Sequence, residues 1–148
     1  MVRLQRRRPG SRRVLIIVEN LPVPFDRRVW LECRALIDAG YRVAVICPSG
    51  SGDPRYEVLE GVELYKYRPR NATTGKLAFF AEYAWSFTMT VLLAVRARQR
   101  GRIDAIQTCN PPDIFWPLGI ALRVSSGARF VFDQHDLCPE LYLSLIHI

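Results

Sequence analysis

Asp133-Gln134-His135-Asp136 is the densest run of proton-handling side chains in the sequence, and it follows directly on the apolar Phe130-Val131-Phe132. A histidine beside carboxylates can be tuned across neutral pH, so it can orient a substrate or move a proton. The same His135 can instead cap its own loop through backbone bonds, and residue types alone leave both uses open. A metal reading would take Asp133, His135 and Asp136 with water. It has no second ligand cluster in the sequence, and alternate residues on an extended strand point oppositely, so no metal is expected. Two further polar breaks interrupt an otherwise apolar chain, Glu19-Asn20 and Asn110-Pro111-Pro112-Asp113. Asn110 and Asp113 suit the hydroxyls of a polar ligand, while Asp113 equally suits a helix N-cap. Asp26-Arg27-Arg28 opens a helical pattern, whose N–H groups together with an arginine can receive a phosphate or a hydroxyl. The alternative there is a plain N-cap followed by an Arg28–Glu32 surface pair.

The elements that must position these residues follow from hydrophobic period. Val14–Val18 and Val43–Cys47 are uninterrupted aliphatic runs, the mark of strands covered on both faces of a parallel sheet. Between them Val29, Trp30, Cys33, Leu36 and Ile37 fall at helical spacing, with Gly40 at the C′ position. Tyr56–Leu59 and Val62–Tyr67 flank Glu60-Gly61 and predict a small hairpin or two short strands. Leu77–Arg100 predicts a long helix, Ile103–Cys109 a strand, Ile114–Ser125 a helix closed by Gly127, and Arg129–Phe132 the last strand. This alternation predicts an open, doubly wound, mostly parallel α/β sheet of Rossmann-like kind. Ligands of such sheets enter at the carboxyl ends of the strands, in the crevice between the first and fourth strands, where strand order reverses.

The chain has 148 residues, 49% hydrophobic and 24% charged, enough for one domain with a buried core and unlike a disordered tail. Its net charge of +7 resembles a nucleic-acid signature until it is mapped. Arg3, Arg6, Arg7, Arg8, Arg12 and Arg13 stand in the first 13 residues with no acid among them, and the remaining body is close to neutral. Residues 1–13 are therefore expected to be a basic, disordered arm, able to meet phosphates or an anionic lipid surface. Val14–Val18 is too short for a secretory signal. Cys33, Cys47, Cys109 and Cys138 stand singly, as buried thiols do in a reducing compartment. No Gly-x-Gly-x-x-Gly follows the first strand and no Walker Lys-Ser/Thr motif or Gly-x-Ser-x-Gly elbow occurs, which argues against nicotinamide, flavin, P-loop and serine-hydrolase chemistry.

Leu77–Val95 carries one charge, Glu82, and is long enough to cross a bilayer. Against a span stand the cost of a central glutamate, the four-residue stripe Glu82, Ser86 and Thr90, and the strands on either side, which a span would part. A buried core helix and a helix resting on a membrane surface are the remaining readings. Lys76, Arg96, Arg98 and Arg100 at its ends suit the second.

Taken together, Glu19–Trp30, Gly40–Pro48, Cys109–Asp113 and Phe132–Glu140 resemble the amino-terminal half of family 4 glycosyltransferases, and most closely those of bacterial exopolysaccharide and O-antigen (lipopolysaccharide) biosynthesis. The resemblance runs from about Arg13 to Ser144. It implies one half of a GT-B fold, with residues 14–142 as the acceptor-binding domain of a retaining, metal-independent hexosyltransferase-like enzyme that needs no cofactor. Its partners would be a nucleotide-sugar donor and a glycan acceptor, free or lipid-linked, at the cytoplasmic face of the plasma membrane. Carried over residue by residue, His135 and Asp136 would form the catalytic centre. Asn20, Asp26, Arg27, Arg28, Asn110, Asp113 and Glu140 would line the acceptor side. The glycine-rich first loop common in the wider family is replaced here by Asn20–Phe25, so phosphate contact from this loop is not implied. The donor-binding domain, with its paired glutamates and its cations for the leaving diphosphate, is expected to lie outside this chain, and the polypeptide alone is expected to be inactive. Residues 143–148 depart from the pattern and read as a non-native tail of the kind adapter read-through encodes. A non-catalytic module on a membrane surface or on nucleic acid is the competing reading, and near-neutrality after residue 13 weighs against nucleic acid.

Overall fold

The computed structural model describes residues 12–70, 75–109 and 113–134. The elements run β1 (Arg13–Ile17), α1 (Arg27–Asp38), β2 (Arg42–Pro48), β3 (Tyr56–Leu59), β4 (Val62–Tyr67), α2 (Lys76–Gln99), β5 (Ala105–Cys109), a 3-10 turn (Asp113–Phe115), α3 (Trp116–Ser126) and β6 (Arg129–Asp133). The strands form one sheet in the order β3-β4-β2-β1-β5-β6. Only β3 is antiparallel to its neighbour, so the expected mostly parallel α/β sheet is the fold observed. Counting parallel strands alone, β5 is the fourth, and strand order reverses between β1 and β5, where the crevice was expected.

Alternation along the strands sorts the core into two layers. Val14, Ile16, Val43, Val45 and Leu64 face α1 and its Val29 and Cys33. Leu15, Ile17, Ala44, Ile46, Tyr65 and Tyr67 face the other way, against α2 and α3. Glu60 and Gly61 turn the β3–β4 hairpin with φ of 48° and 86°, the left-handed pair whose twist matches the strands it joins.

Four expectations need correction. Arg13, counted with the basic arm, is the first residue of β1 and only 1% exposed. Its guanidinium donates to the carbonyls of Ala97 and Gly101 and pairs with Glu63, so it closes the C-terminal end of α2 against β1 and β4. A charge run cannot reveal its last member's partners, because those lie 50 to 88 residues away. The second correction concerns α2, which is not a wholly buried helix: only 22% of its most apolar 18-residue window is covered. Its inward face is the small and hydroxyl-bearing row Ser86, Thr90, Leu93, Ala94 and Ala97, which lets the helix approach the sheet closely. Leu77, Phe79, Phe80, Leu92 and Val95 face outward. The β4 and β5 strands on either side of α2 share one sheet, which a bilayer-crossing helix would part. Third, β5 begins at Ala105, leaving Ile103 buried ahead of it, and β6 runs on to Asp133. Fourth, α3 begins at Trp116 behind the 3-10 turn, with Pro117 in its first turn, where a missing N–H costs least, and it ends at Gly127 with φ 69°.

Candidate functional site

The loop after β1 is folded back on the sheet. The Val18 N–H donates to the Ile46 carbonyl at 3.0 Å, Val23 is fully buried, and the Asp26 N–H donates to the Pro22 carbonyl at 2.8 Å. These ties hold the N-terminus of α1 at the edge where the parallel strands end. Asp26 caps it, accepting the Val29 N–H at 3.2 Å. Asn20 and Arg27 lie exposed beside it.

On the α1 side of the sheet a polar network crosses the crevice. Arg28 reaches from α1 to Asp133 at the end of β6, Nη2 to Oδ1 at 3.4 Å. The other oxygen of Asp133 accepts from the Gln107 amide of β5 at 3.2 Å, and the same amide donates to Glu32 of α1 at 3.0 Å. One amide nitrogen has two hydrogens, so each carboxylate receives one. The expected Arg28–Glu32 pair does not form: Gln107 holds Glu32, and Arg28 is drawn across the crevice instead. Burial, followed by the nearby Asp133 charge, pushes the Cys109 thiol up to about 12, and burial holds Cys33 near 12 and Cys47 near 11. These three thiols stay protonated at neutral pH and offer no nucleophile.

A second cluster lies on the opposite face of the sheet, where α2 covers the end of β1. Burial raises the Glu19 pKa, a hydrogen bond with Ser86 pulls it back, and the Glu82 charge raises it again. Burial likewise raises Tyr83 and Tyr67, whose surroundings include Glu19. The Tyr67 hydroxyl is buried beside Ser86 and Thr90, yet makes no hydrogen bond of ordinary geometry among the described residues. The native state thus holds a proton on Glu19 at pH values where the unfolded chain has released it, so this group's contribution to stability falls as pH rises through that window. Glu19→Gln is expected to raise Tm at neutral pH. The gain should vanish as pH drops below the ordinary carboxylate range, and thermal scans from pH 3.5 to 7.5 read it directly. A pH-independent difference would contradict a half-buried, charge-strained Glu19.

Of the residues singled out from the sequence, Asn20, Asp26, Arg27 and Arg28 share one edge with the end of β6, while Asp113 opens the 3-10 turn after β5. Asn110, His135, Asp136 and Glu140 lie outside the described residues. Sequence reasoning did not find Gln107 or Glu32 as site residues. For Gln107 the only signal was a polar residue inside a buried strand. Glu19 was marked with Asn20 as a polar strand end, but not as the partner of the Glu82–Ser86–Thr90 stripe, the helix face that meets it.

Parallel strands that end in a polar crevice at the reversal of strand order, with a capped helix aimed at it, define a Rossmann-like α/β domain, consistent with one half of a GT-B fold. Residues 26–147 match the model of Glycosyltransferase Family 4, and the chain belongs to that family. No curated protein matches it. Glycosyl transfer is thus its general chemistry, and sugar donors and acceptors are its class of substrate.

Proposed function

We propose that this chain supplies the acceptor-binding side of a retaining, metal-independent glycosyltransferase that moves a sugar from a nucleotide-sugar to a glycan acceptor, free or lipid-linked, of bacterial exopolysaccharide or O-antigen type. The observation that carries the reading is the Arg28–Asp133–Gln107–Glu32 network, which gathers hydrogen-bonding groups from α1, β5 and β6 into one crevice. A sugar hydroxyl both donates and accepts, so a wall offering a guanidinium, an amide and carboxylates can hold it in register. Asn20 and Arg27 would extend this wall, with Asn110, Asp113 and Glu140 contributing further contacts. His135 and Asp136, two residues or so beyond Asp133, would serve the reacting centre. Donor binding and stabilisation of the leaving diphosphate would fall to a second domain. The outward row Leu77, Phe79 and Phe80 on α2 supports a peripheral position at the cytoplasmic membrane face.

The test is a binding titration of the full chain with a panel of unphosphorylated oligosaccharides, against a nucleotide-sugar as comparison. At least one oligosaccharide should bind, and both Asn20→Ala and Arg28→Ala should weaken it about tenfold, the worth of one charge-assisted hydrogen bond. The nucleotide-sugar should bind more weakly than that oligosaccharide. Oligosaccharide binding indifferent to both substitutions, or tighter binding of the nucleotide-sugar, would reject the acceptor-side assignment.

A further inference from the structure

A groove of about 520 Å³ runs between α2 and the hairpin edge of the sheet, away from the crevice network. That volume is in the range of small-molecule sites. Arg55 and Arg68 stand on the hairpin side and Arg96 and Arg100, one helical turn apart, on the α2 side. No aspartate or glutamate lines it, and none of the four arginines makes an ion pair among the described residues. Nearby carboxylates are already engaged. Glu63, bonded to the Tyr65 hydroxyl, is held by Arg13 and Arg42, while Asp53 and Glu57 hold Lys66 at 2.9 and 2.6 Å.

One of them, Arg100, is placed by aromatic rings instead. The Arg100 guanidinium carbon lies 4.0 Å from the centre of the Tyr56 ring and 5.6 Å from that of Tyr65. At the other end the Trp85 indole N–H donates to the Arg68 carbonyl at 2.9 Å, and Arg70 lies over the Trp85 ring at 4.7 Å. A guanidinium stacked on a ring is oriented through its face, which leaves its N–H edges free for an anion's oxygens. Cations gathered with no carboxylate repel one another, and an anion entering between them relieves that repulsion.

We propose that this groove is a binding site for a phosphate-bearing anion, a diphosphate or phosphodiester, with the Tyr65, Trp85 and Met89 wall taking an adjoining apolar portion. Guanidinium groups stand on both sides of the groove, and each can offer a phosphate two parallel N–H bonds. The inference does not depend on sugar binding at the crevice, and its test uses no sugar.

The full chain is titrated with inorganic pyrophosphate and, separately, with vesicles of phosphatidylglycerol or of phosphatidylcholine. The variant Arg68→Gln/Arg96→Gln/Arg100→Gln alters three exposed side chains. A control variant, Arg34→Gln/Arg102→Gln/Arg123→Gln, removes the same charge elsewhere, and both keep the basic arm. The groove variant should bind pyrophosphate at least tenfold more weakly than the control variant does, with an unchanged Tm. If binding to phosphatidylglycerol vesicles falls in the same selective way and pyrophosphate competes for it, the anion is a lipid headgroup. If vesicle binding ignores the groove substitutions, the ligand is a soluble phosphate ester. Equal losses in the two variants, or no binding of either probe by the parent chain, would overturn the site.

Discussion

Arg13→Ala is expected to lower the unfolding free energy by about 3–5 kcal/mol, the cost of removing one partner from a buried charge pair. Arg13 is an arginine in a strand buried from end to end. Its side chain donates to the carbonyls of Ala97 and Gly101, where α2 ends and the helix itself offers Ala97 only a 3.3 Å bond from the Arg100 N–H. It also balances Glu63, which Arg42 alone reaches from a half-exposed position at 3.1 Å. Truncation would leave the Gly101 carbonyl without that donor, the Ala97 carbonyl with only the 3.3 Å bond from the Arg100 N–H, and the carboxylate with the Tyr65 hydroxyl and a single, half-exposed cation. Arg13→Lys should recover only part of the loss, since an ammonium cannot span the carbonyls of α2 and the carboxylate of β4 as a planar fork does. Denaturant unfolding of the three proteins measures both steps. A loss below about 1 kcal/mol, the usual worth of an exposed pair, would return Arg13 to the arm.

Gly119→Ala is the second large effect, and its sign decides the argument. Replacing glycine by alanine inside an open helix stabilises by about 0.8–1 kcal/mol through backbone propensity. At Gly119 of α3 an added Cβ would stand 2.1 Å from Cε2 and 2.7 Å from Cδ2 of the Phe130 ring in β6. Either α3 lifts from the sheet or Phe130 swings out, and overpacking of this kind costs about 1–3 kcal/mol, so net destabilisation is expected. In a Phe130→Leu background the clash is relieved and the same substitution should become neutral or stabilising. The double-mutant cycle isolates the contact, and independent, additive effects would refute it. Phe130 lies three residues before Asp133, so the fit of α3 on β6 also sets where the far end of the crevice network stands.

Much of the frame was legible. Val14–Val18 and Val43–Cys47 announced covered strands because only a two-faced position tolerates five consecutive apolar residues. Glu60-Gly61 announced the hairpin through its need for left-handed backbone. Asp26 announced the start of α1 and Gly127 the end of α3, since caps are local chemistry. The long helix was read less well. A wholly buried helix was one expectation, yet the sheet receives only the Ser86–Thr90–Ala97 side, because a close helix–sheet approach rewards small side chains and the polar ones find Glu19 and Tyr67 there.

The identity of the fold, the edge at which the parallel strands end and the family were contained in local pattern: period, caps, turn residues and motif order. Which polar residues meet across that edge was decided by the folded chain alone. Arg28 finds Asp133 105 residues away and Gln107 finds Glu32 75 residues away, while Arg13 leaves its basic neighbours for Glu63. Backbone conformation is set by neighbours a few positions distant and can be read in order. A charge takes whichever partner the sheet brings within reach, and parallel strands bring together residues that the sequence keeps far apart.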